Sequence, residues 1–318
     1  MKEIKLGRLS KAFILSLNGK SILVTGVSGF TGRHLAASLI DAGAIVHGFS
    51  SSQLDDARAI INGQNIVGCL TEPETLTHAV DFTNPDYVFH LAGISFANHK
   101  SALPYYDVNV IGTENLLKAC ESHATQIKSI VIASSAAVYG YPKNDFVSEE
   151  DDLTPVSHYG VSKLAMEHIT RTYSETLPIT IVRPFNYTGP GQPEHFLIPK
   201  IVDHFAKRKA VIELGNSNII REFSDVRDIV QYYCALLEQK SVGTVNLCTG
   251  QSNSFADVIN TLTHITGHKI VIEKNPKFVR KNDLLRLVGS PEKLVSKTQT
   301  QASYTLSDTL EAMLNHKL

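Results

Sequence analysis

The chain has 318 residues, with 30 Lys and Arg against 31 Asp and Glu and a formal net charge of -1. At about 150 residues per domain this is about two domains, long enough to bury a core without disulfide or metal staples. A hydrophobic content of 43% and a charged content of 19% exclude a disordered chain, and the balanced charge excludes a general attraction for nucleic acid or anionic lipid.

In chain order, Lys2, Lys5, Arg8 and Lys11 precede a short apolar run, 12–15, that Ser16 and Asn18 interrupt. This reads as a leader to the first strand rather than a signal peptide, and no stretch approaches the ~18 apolar residues of a membrane span. Cys69, Cys120, Cys234 and Cys248 are widely spaced, without a C-x-x-C pair or a Cys/His ligand set. No metal is expected, and reduced thiols fit a cytoplasmic enzyme.

From residue 21 onward, β-rich runs alternate with helical patterns. Strands are expected at 22–25, 44–49, 65–67, 87–91, 129–133 and 179–182, with a helix at 30–41 closed by Gly43. Alternation at this spacing predicts an α/β fold, a doubly wound parallel sheet of Rossmann type. After Arg183-Pro184 the rhythm breaks in the turn-rich segment 187–193. A helix at 196–207, strands near 211–214 and 219–223, and a helix around 306–314 complete the pattern. We expect a dinucleotide-binding domain over 1–186, to which part of 225–248 returns, and a smaller α/β substrate domain over most of 187–318.

Three short segments carry chemistry. The first strand runs into Gly26-Val27-Ser28-Gly29-Phe30-Thr31-Gly32 and then a helix. Such glycines let the backbone turn sharply and approach a pyrophosphate, while the helix start offers N–H groups to it. In this position they point to a dinucleotide. In Tyr159-Gly160-Val161-Ser162-Lys163, Tyr159 and Lys163 lie one turn apart on a helix expected to start at Thr154 and Pro155. Alone such a pair is more often exposed; in a site, a nearby ammonium lowers a phenol's pKa and makes Tyr159 a proton donor or acceptor. Finally, Ser134-Ser135 follows the strand 129–133, at the carboxyl end where parallel sheets bind ligands.

At these spacings the three segments resemble the extended branch of the short-chain dehydrogenase/reductases over roughly residues 20–315. His90-Leu91-Ala92-Gly93 and Asn109-Val110-Ile111-Gly112-Thr113 are similar to two further motifs of that family. The segment 183–192, Arg-Pro-Phe-Asn-Tyr-Thr-Gly-Pro-Gly-Gln, is most similar to that of reductases acting on GDP-4-keto-6-deoxymannose. The resemblance implies Ser135, Tyr159 and Lys163 as the catalytic set. Lys163 would bind the nicotinamide ribose and lower the Tyr159 pKa. It implies dinucleotide contacts from Gly26, Ser28, Gly29, Phe30, Gly32, Arg33, Ser51, Leu70, Leu91, Ala92, Gly93 and Asn109. It implies nucleotide-sugar contacts from Ser135, Asn186, Phe196, Arg221 and Arg280, the two arginines on the diphosphate. Relatives carry an Asp where this chain has Cys69, which puts that adenine contact in doubt.

Absences sort the reaction. Where related dehydratases carry an Asp-Glu pair this chain has Ala136 and Ala137, and epimerase-reductases carry a cysteine where Ala137 stands. Hydride transfer at C4 remains, as net reduction or as 4-epimerisation through a transient ketone. No carboxylate appears after the second strand until Asp55, and Arg33 follows the last glycine. Hydroxyls plus an arginine suit a 2′-phosphate, so NADP is expected ahead of NAD. The reading is a cytoplasmic, homodimeric nucleotide-diphospho-4-keto-6-deoxy-hexose reductase. A 4-epimerase with bound NAD is the nearest alternative. A non-catalytic dinucleotide-sensing regulator is another, although such proteins commonly lose the Tyr or Lys retained here.

Overall fold

The computed structural model describes residues 17–53, 61–95, 101–123, 125–215, 219–239, 241–276 and 284–317. The leader reading, Asp55 and Arg280 lie outside them.

The first half alternates as its sequence predicts. Strand β1 (Ser21–Thr25) leads into helix α1 (Phe30–Asp41), then β2 (Ile45–Ser50), β3 (Asn65–Val67), α2 (Pro73–Thr83) and β4 (Tyr87–His90). Next come α3 (Leu103–Tyr106), a five-residue π turn (Asp107–Ile111) and α4 (Gly112–Glu121). Strand β5 (Ser129–Ala133), α5 (His158–Arg171) and β6 (Ile179–Pro184) follow. Seven strands form one sheet in the order β11-β6-β5-β4-β1-β2-β3, where β11 is Gly243–Leu247. Every ladder in it is parallel.

Alternating side chains feed two cores, one on each face. Val24, Leu35, Phe89, Val131 and Tyr233 pack on one face; Leu23, Val88, Leu116, Ile130 and Met166 pack on the other. Both faces of a parallel sheet must be covered, which accounts for its nearly continuous apolar strands. Beyond β6, the pair β7 (Tyr187–Thr188) leads to α6 (Leu197–Ala206) and to the short strands β8 (Val211–Leu214), β9 (Ile220–Arg221) and β10 (Ser224–Asp225). Helix α7 (Val226–Glu238) packs against α1 and leads to β11 at the sheet edge. A third core gathers Ile198, Phe205, Phe223, Leu262 and Leu310 in the C-terminal part, where the last helix is Leu306–Lys317.

Two local expectations are corrected. Helix α5 begins at His158, capped by Ser157, whose side chain accepts from the Gly160 N–H at 3.1 Å. Thr154 instead donates its hydroxyl to the Tyr139 carbonyl at 2.9 Å and bridges to Gly140. A long-range strand-like contact thus outcompetes the local cap. The expected strand over 219–223 is shortened to β9, because buried Glu222 ends it, accepting from the Thr249 N–H at 2.7 Å and the Gly289 N–H at 2.6 Å.

Helix α5 is pinned to β6 by a buried ion pair. Arg183 donates Nε to Glu167 Oε1 at 2.9 Å and Nη2 to Glu167 Oε2 at 2.7 Å, with side-chain exposures of 2% and 0%. Ser134 adds a hydroxyl at 2.6 Å and Arg171 a guanidinium at 2.8 Å. Burial pushes the Glu167 carboxyl up, but Arg183, Ser134 and Arg171 together more than offset it, so the net direction is below the ordinary 4.5. Replacing Arg183 with Leu strands a buried carboxylate, and the expected loss is about 3–5 kcal/mol in urea denaturation at pH 7. The Glu167 contribution is fully present above the unfolded carboxyl pKa and is lost as pH falls through the depressed folded value. The stability gap between wild type and Arg183→Leu should therefore narrow on acidification below about pH 4.5. A gap that is constant with pH would contradict this assignment.

Candidate active site at the carboxyl end of the sheet

The turn after β1 is built for close approach. Gly26 has a φ of +70°, and a Cβ there would sit 2.7 Å from the Ala92 backbone nitrogen, so only glycine fits. At Gly32 a Cβ would be driven into the Gly26 carbonyl, which lets α1 lie directly on the turn. Gly29 is the N-cap residue of α1 and supplies no side-chain cap. The first helical turn is thus left without a protein side chain at its start, and Ser28 and Gly29 are exposed beside it. A cradle with these features fits a pyrophosphate, and with the Lys163 ammonium nearby the residues present suit a nicotinamide dinucleotide.

Ser135, Tyr159 and Lys163 converge across the sheet end. Ser135 caps the 3-10 turn Ala136–Tyr139, its hydroxyl oxygen accepting from the Ala137 N–H at 3.1 Å. A hydrogen bond from Ser135 to the Tyr159 phenol favours the ionised form. The rings of Tyr105 and Tyr159 lie 6.3 Å apart. Burial pushes the Tyr159 phenol up to about 12, and the Ser135 hydrogen bond only partly opposes this. This reverses the expectation that Lys163 lowers it. The Lys163 side chain, 5% exposed, commits its ammonium to the Ala133 carbonyl at 2.8 Å. Burial brings that ammonium down to about 8, Glu167 pulling the other way. At neutral pH, Tyr159 therefore holds its proton and is a donor, and Lys163 is charged.

Asn109 sits at the centre of the π turn, a geometry often found at functional sites. Its Oδ1 accepts from the Ile94 N–H at 2.9 Å, and its Nδ2 donates to Ser162 Oγ at 3.0 Å. Ser162 in turn donates to the Tyr159 carbonyl at 2.8 Å. A Cβ on Gly93 would meet Asn109 Oδ1 at 2.8 Å and Lys163 Nζ at 3.3 Å, so the loop after β4 runs tightly over both. Leu91 and Ala92 are half-buried beside it, and Leu70 is buried with its carbonyl accepting from Asn115 at 3.0 Å.

Arg33 has a protein partner. Its Nη2 donates to the Gly191 carbonyl at 3.0 Å, while Ser51 is exposed at the end of β2. The neighbouring His34 donates Nε2 to the Pro190 carbonyl at 2.9 Å, since a carbonyl can only accept. Thr31 and Tyr187 share a hydroxyl contact of 2.6 Å, and the Phe30 and Tyr187 rings stack at 6.0 Å. Helix α1 therefore spends Arg33 on holding the loop 187–191. Thr31, Tyr105 and Tyr187 were not legible as site residues. Tyr187 follows Asn186 in a recognisable loop, but no local pattern ties it to a threonine 156 positions earlier.

The expected sugar-side residues are more dispersed. Asn186 is exposed, its carbonyl accepting from the Ser224 N–H at 3.1 Å. Phe196 is the N-cap residue of α6, its ring 4.3 Å from that of His195. Arg221 is half-buried and donates Nη1 to the Ile220 carbonyl at 2.8 Å and Nη2 to the Leu284 carbonyl at 2.5 Å. Ala136 and Ala137 form the start of the 3-10 turn beside Ser135. Among the described residues, no cluster of three or more His, Cys, Asp or Glu is placed to hold a metal, and no helix is long and apolar enough to cross a membrane.

The sequence model of the GDP-mannose 4,6 dehydratase family matches residues 23–313. GDP-6-deoxy-D-talose 4-dehydrogenase of Aggregatibacter actinomycetemcomitans is 34% identical over 303 residues, covering 93% of this chain and 98% of its own. GDP-6-deoxy-D-mannose reductase of Pseudomonas aeruginosa is 29% identical over 312 residues, covering 92% and 96%. Among solved structures, a Burkholderia cenocepacia protein superposes with a TM-score of 0.88 at 35% identity, covering 94% of this chain and 98% of that one. MoeE5, solved with UDP-glucuronic acid and NAD, gives a TM-score of 0.84 at 26% identity, covering 93% and 98%. The chain belongs to the GDP-mannose 4,6 dehydratase family, within the extended short-chain dehydrogenase/reductases.

Replacing Tyr159 with Phe removes the donor while keeping the ring. Turnover should fall by about 10²–10⁴-fold with the fold intact by circular dichroism. Near-normal turnover at saturating dinucleotide would remove Tyr159 from the catalytic set.

Proposed function

We propose that this enzyme reduces the C4 ketone of a nucleotide-diphospho-4-keto-6-deoxy-hexose, GDP-4-keto-6-deoxymannose being the expected substrate. One observation carries the reading: Tyr159 and Ser135 offer a proton and a hydrogen bond, while the adjoining Ala136 and Ala137 offer no acid or base. Dehydration and C3/C5 inversion both need such groups; reduction of a ketone does not. The relatives named for GDP-6-deoxy sugars favour the same substrate class.

The chain's residues then divide the work. Gly26, Ser28, Gly29, Phe30 and Gly32 would cradle the dinucleotide, with Ser51 and Leu70 toward its adenosine and Leu91, Ala92, Gly93 and Asn109 along the loop above Lys163. A bound reduced dinucleotide supplies the hydride. Ser135 holds the ketone oxygen by its hydroxyl hydrogen, and Tyr159 passes its phenolic proton to that oxygen as the C4 carbon is reduced. Lys163 would orient the ribose. Asn186, Phe196, Arg221 and Arg280 would hold the nucleotide-sugar. A homodimer through α3, the π turn, α4 and α5 is supported by Leu103 on α3, Ile111 at the end of the π turn and Val161 on α5, exposed to 64%, 46% and 39%.

The dinucleotide choice turns on Ser50–Ser52, where no carboxylate stands to repel a 2′-phosphate, so NADPH and NADH are both admissible. With Arg33 bound to Gly191, Arg33→Ala should weaken NADPH and NADH by the same factor in fluorescence titrations. A loss confined to NADPH would return Arg33 to the 2′-phosphate.

The assay that separates reduction from epimerisation follows absorbance at 340 nm. GDP-4-keto-6-deoxymannose should consume NADPH stoichiometrically, whereas GDP-mannose and UDP-glucose should give no redox signal. Interconversion of C4 epimers of a saturated nucleotide-sugar, by enzyme purified with bound NAD, would overturn the reductase reading in favour of the epimerase.

A further inference from the structure

His90 ends β4 and is 1% exposed. Its ring nitrogens join the two sides of the dinucleotide cradle. Nδ1 lies 2.7 Å from Thr25 Oγ1, at the end of β1, and Nε2 lies 2.9 Å from Thr113 Oγ1, on α4.

Counting protons fixes the direction of every bond. Thr113 has one hydroxyl hydrogen, and it goes to the Asn109 carbonyl at 2.7 Å, which can only accept. Thr113 Oγ1 must therefore accept from His90, so Nε2 carries a hydrogen. In a neutral ring Nδ1 is then bare and accepts from the Thr25 hydroxyl, whose oxygen accepts in turn from the Ala92 N–H at 3.3 Å. The sequence is Ala92 N–H to Thr25, Thr25 to His90, His90 to Thr113, and Thr113 to the Asn109 carbonyl. Asn109 closes the circuit, its side chain exchanging bonds with the Ile94 N–H at 2.9 Å and the Ile94 carbonyl at 3.3 Å. Residues 92–94 are thus held at both ends, and Gly93 between them is the segment on which a Cβ would crowd Lys163 Nζ at 3.3 Å.

We propose that His90 is a positioning residue for the dinucleotide: as a neutral imidazole protonated at Nε2, it closes a hydrogen-bonded ring that fixes Ala92–Gly93–Ile94 against Lys163. An imidazolium would present a second N–H to Thr25, whose hydroxyl hydrogen would then have to leave Nδ1. Burial opposes that charge and Lys163 adds to the opposition, bringing the imidazole down to about 3. The neutral form is therefore the one present throughout the physiological range. The inference rests on the dinucleotide reading of the cradle, but the protonation state of His90 does not.

Two measurements test it. In fluorescence titrations with NADH and NADPH, His90→Leu should bind at least tenfold more weakly, while His90→Gln, which keeps one acceptor and one donor, should stay within about threefold of wild type. A folded His90→Leu within threefold of wild type would overturn the proposal, as would an equal loss in both variants. Nitrogen-15 NMR of the histidine-labelled wild-type enzyme gives an answer without the Leu variant. The ring signal missing from His90→Gln should report a neutral Nε2–H tautomer, unchanged from pH 8 to pH 5. An Nδ1–H tautomer, or an imidazolium in that range, would be contrary to it. If wild type binds neither dinucleotide, the cradle reading fails while the tautomer measurement still decides the ring.

Discussion

The buried pair of Glu167 and Arg183 is the contact on which the rest of the site depends. It lies where helix α5, strand β6 and the end of β5 meet, and it satisfies both carboxylate oxygens. The remaining guanidinium nitrogen donates to the Tyr139 hydroxyl at 2.9 Å, which passes its own hydrogen to Asn246 Oδ1 at 2.6 Å. The network therefore extends from α5 through β6 to β11. Two charges removed from water are tolerable only when every donor and acceptor is met. Sliding α5 by one residue would unmake the whole set. Because Lys163 lies one turn before Glu167, the same constraint places its ammonium under the Ala133 carbonyl.

Burial at the sheet end then governs the proton chemistry. It moves the Tyr159 phenol up and the Lys163 ammonium down, so the two groups move apart in proton affinity and the phenol holds its proton the more tightly. A phenol that keeps its proton until the substrate oxygen becomes basic suits reduction. A phenolate at rest would suit abstraction instead. Desolvation keeps the proton on Tyr159, while Ser135 moderates how strongly it is held.

The cradle and the loop 187–191 are one mechanical unit. Thr31, Arg33 and His34 on α1 each hold an atom of that loop, and Phe30 stacks on its tyrosine. The helix that starts at the glycine turn thus also supports the segment expected beside the sugar. The arrangement gives Arg33 a structural use that competes with any use on the 2′-phosphate. A guanidinium hydrogen-bonded to a backbone carbonyl keeps its charge but loses freedom to turn.

Much of this protein was determined by short-range sequence. The β-rich runs and the helix at 30–41, the glycine turn, the Tyr159–Lys163 spacing and the alanines at 136 and 137 are each encoded within a few residues. Backbone turn chemistry and helical period act over that distance. Tertiary structure decided the rest. Thr154 looked like a helix cap until Tyr139, 15 residues earlier, offered it a carbonyl. The Arg33 bond to the Gly191 carbonyl, 158 positions away at 3.0 Å, has no local signature. The Tyr159 phenol was expected to fall in pKa and instead rises, because desolvation is a property of the assembled interior. Residues far apart in the chain meet only after folding, and the removal of water is shared by all of them, so no window of sequence holds either fact.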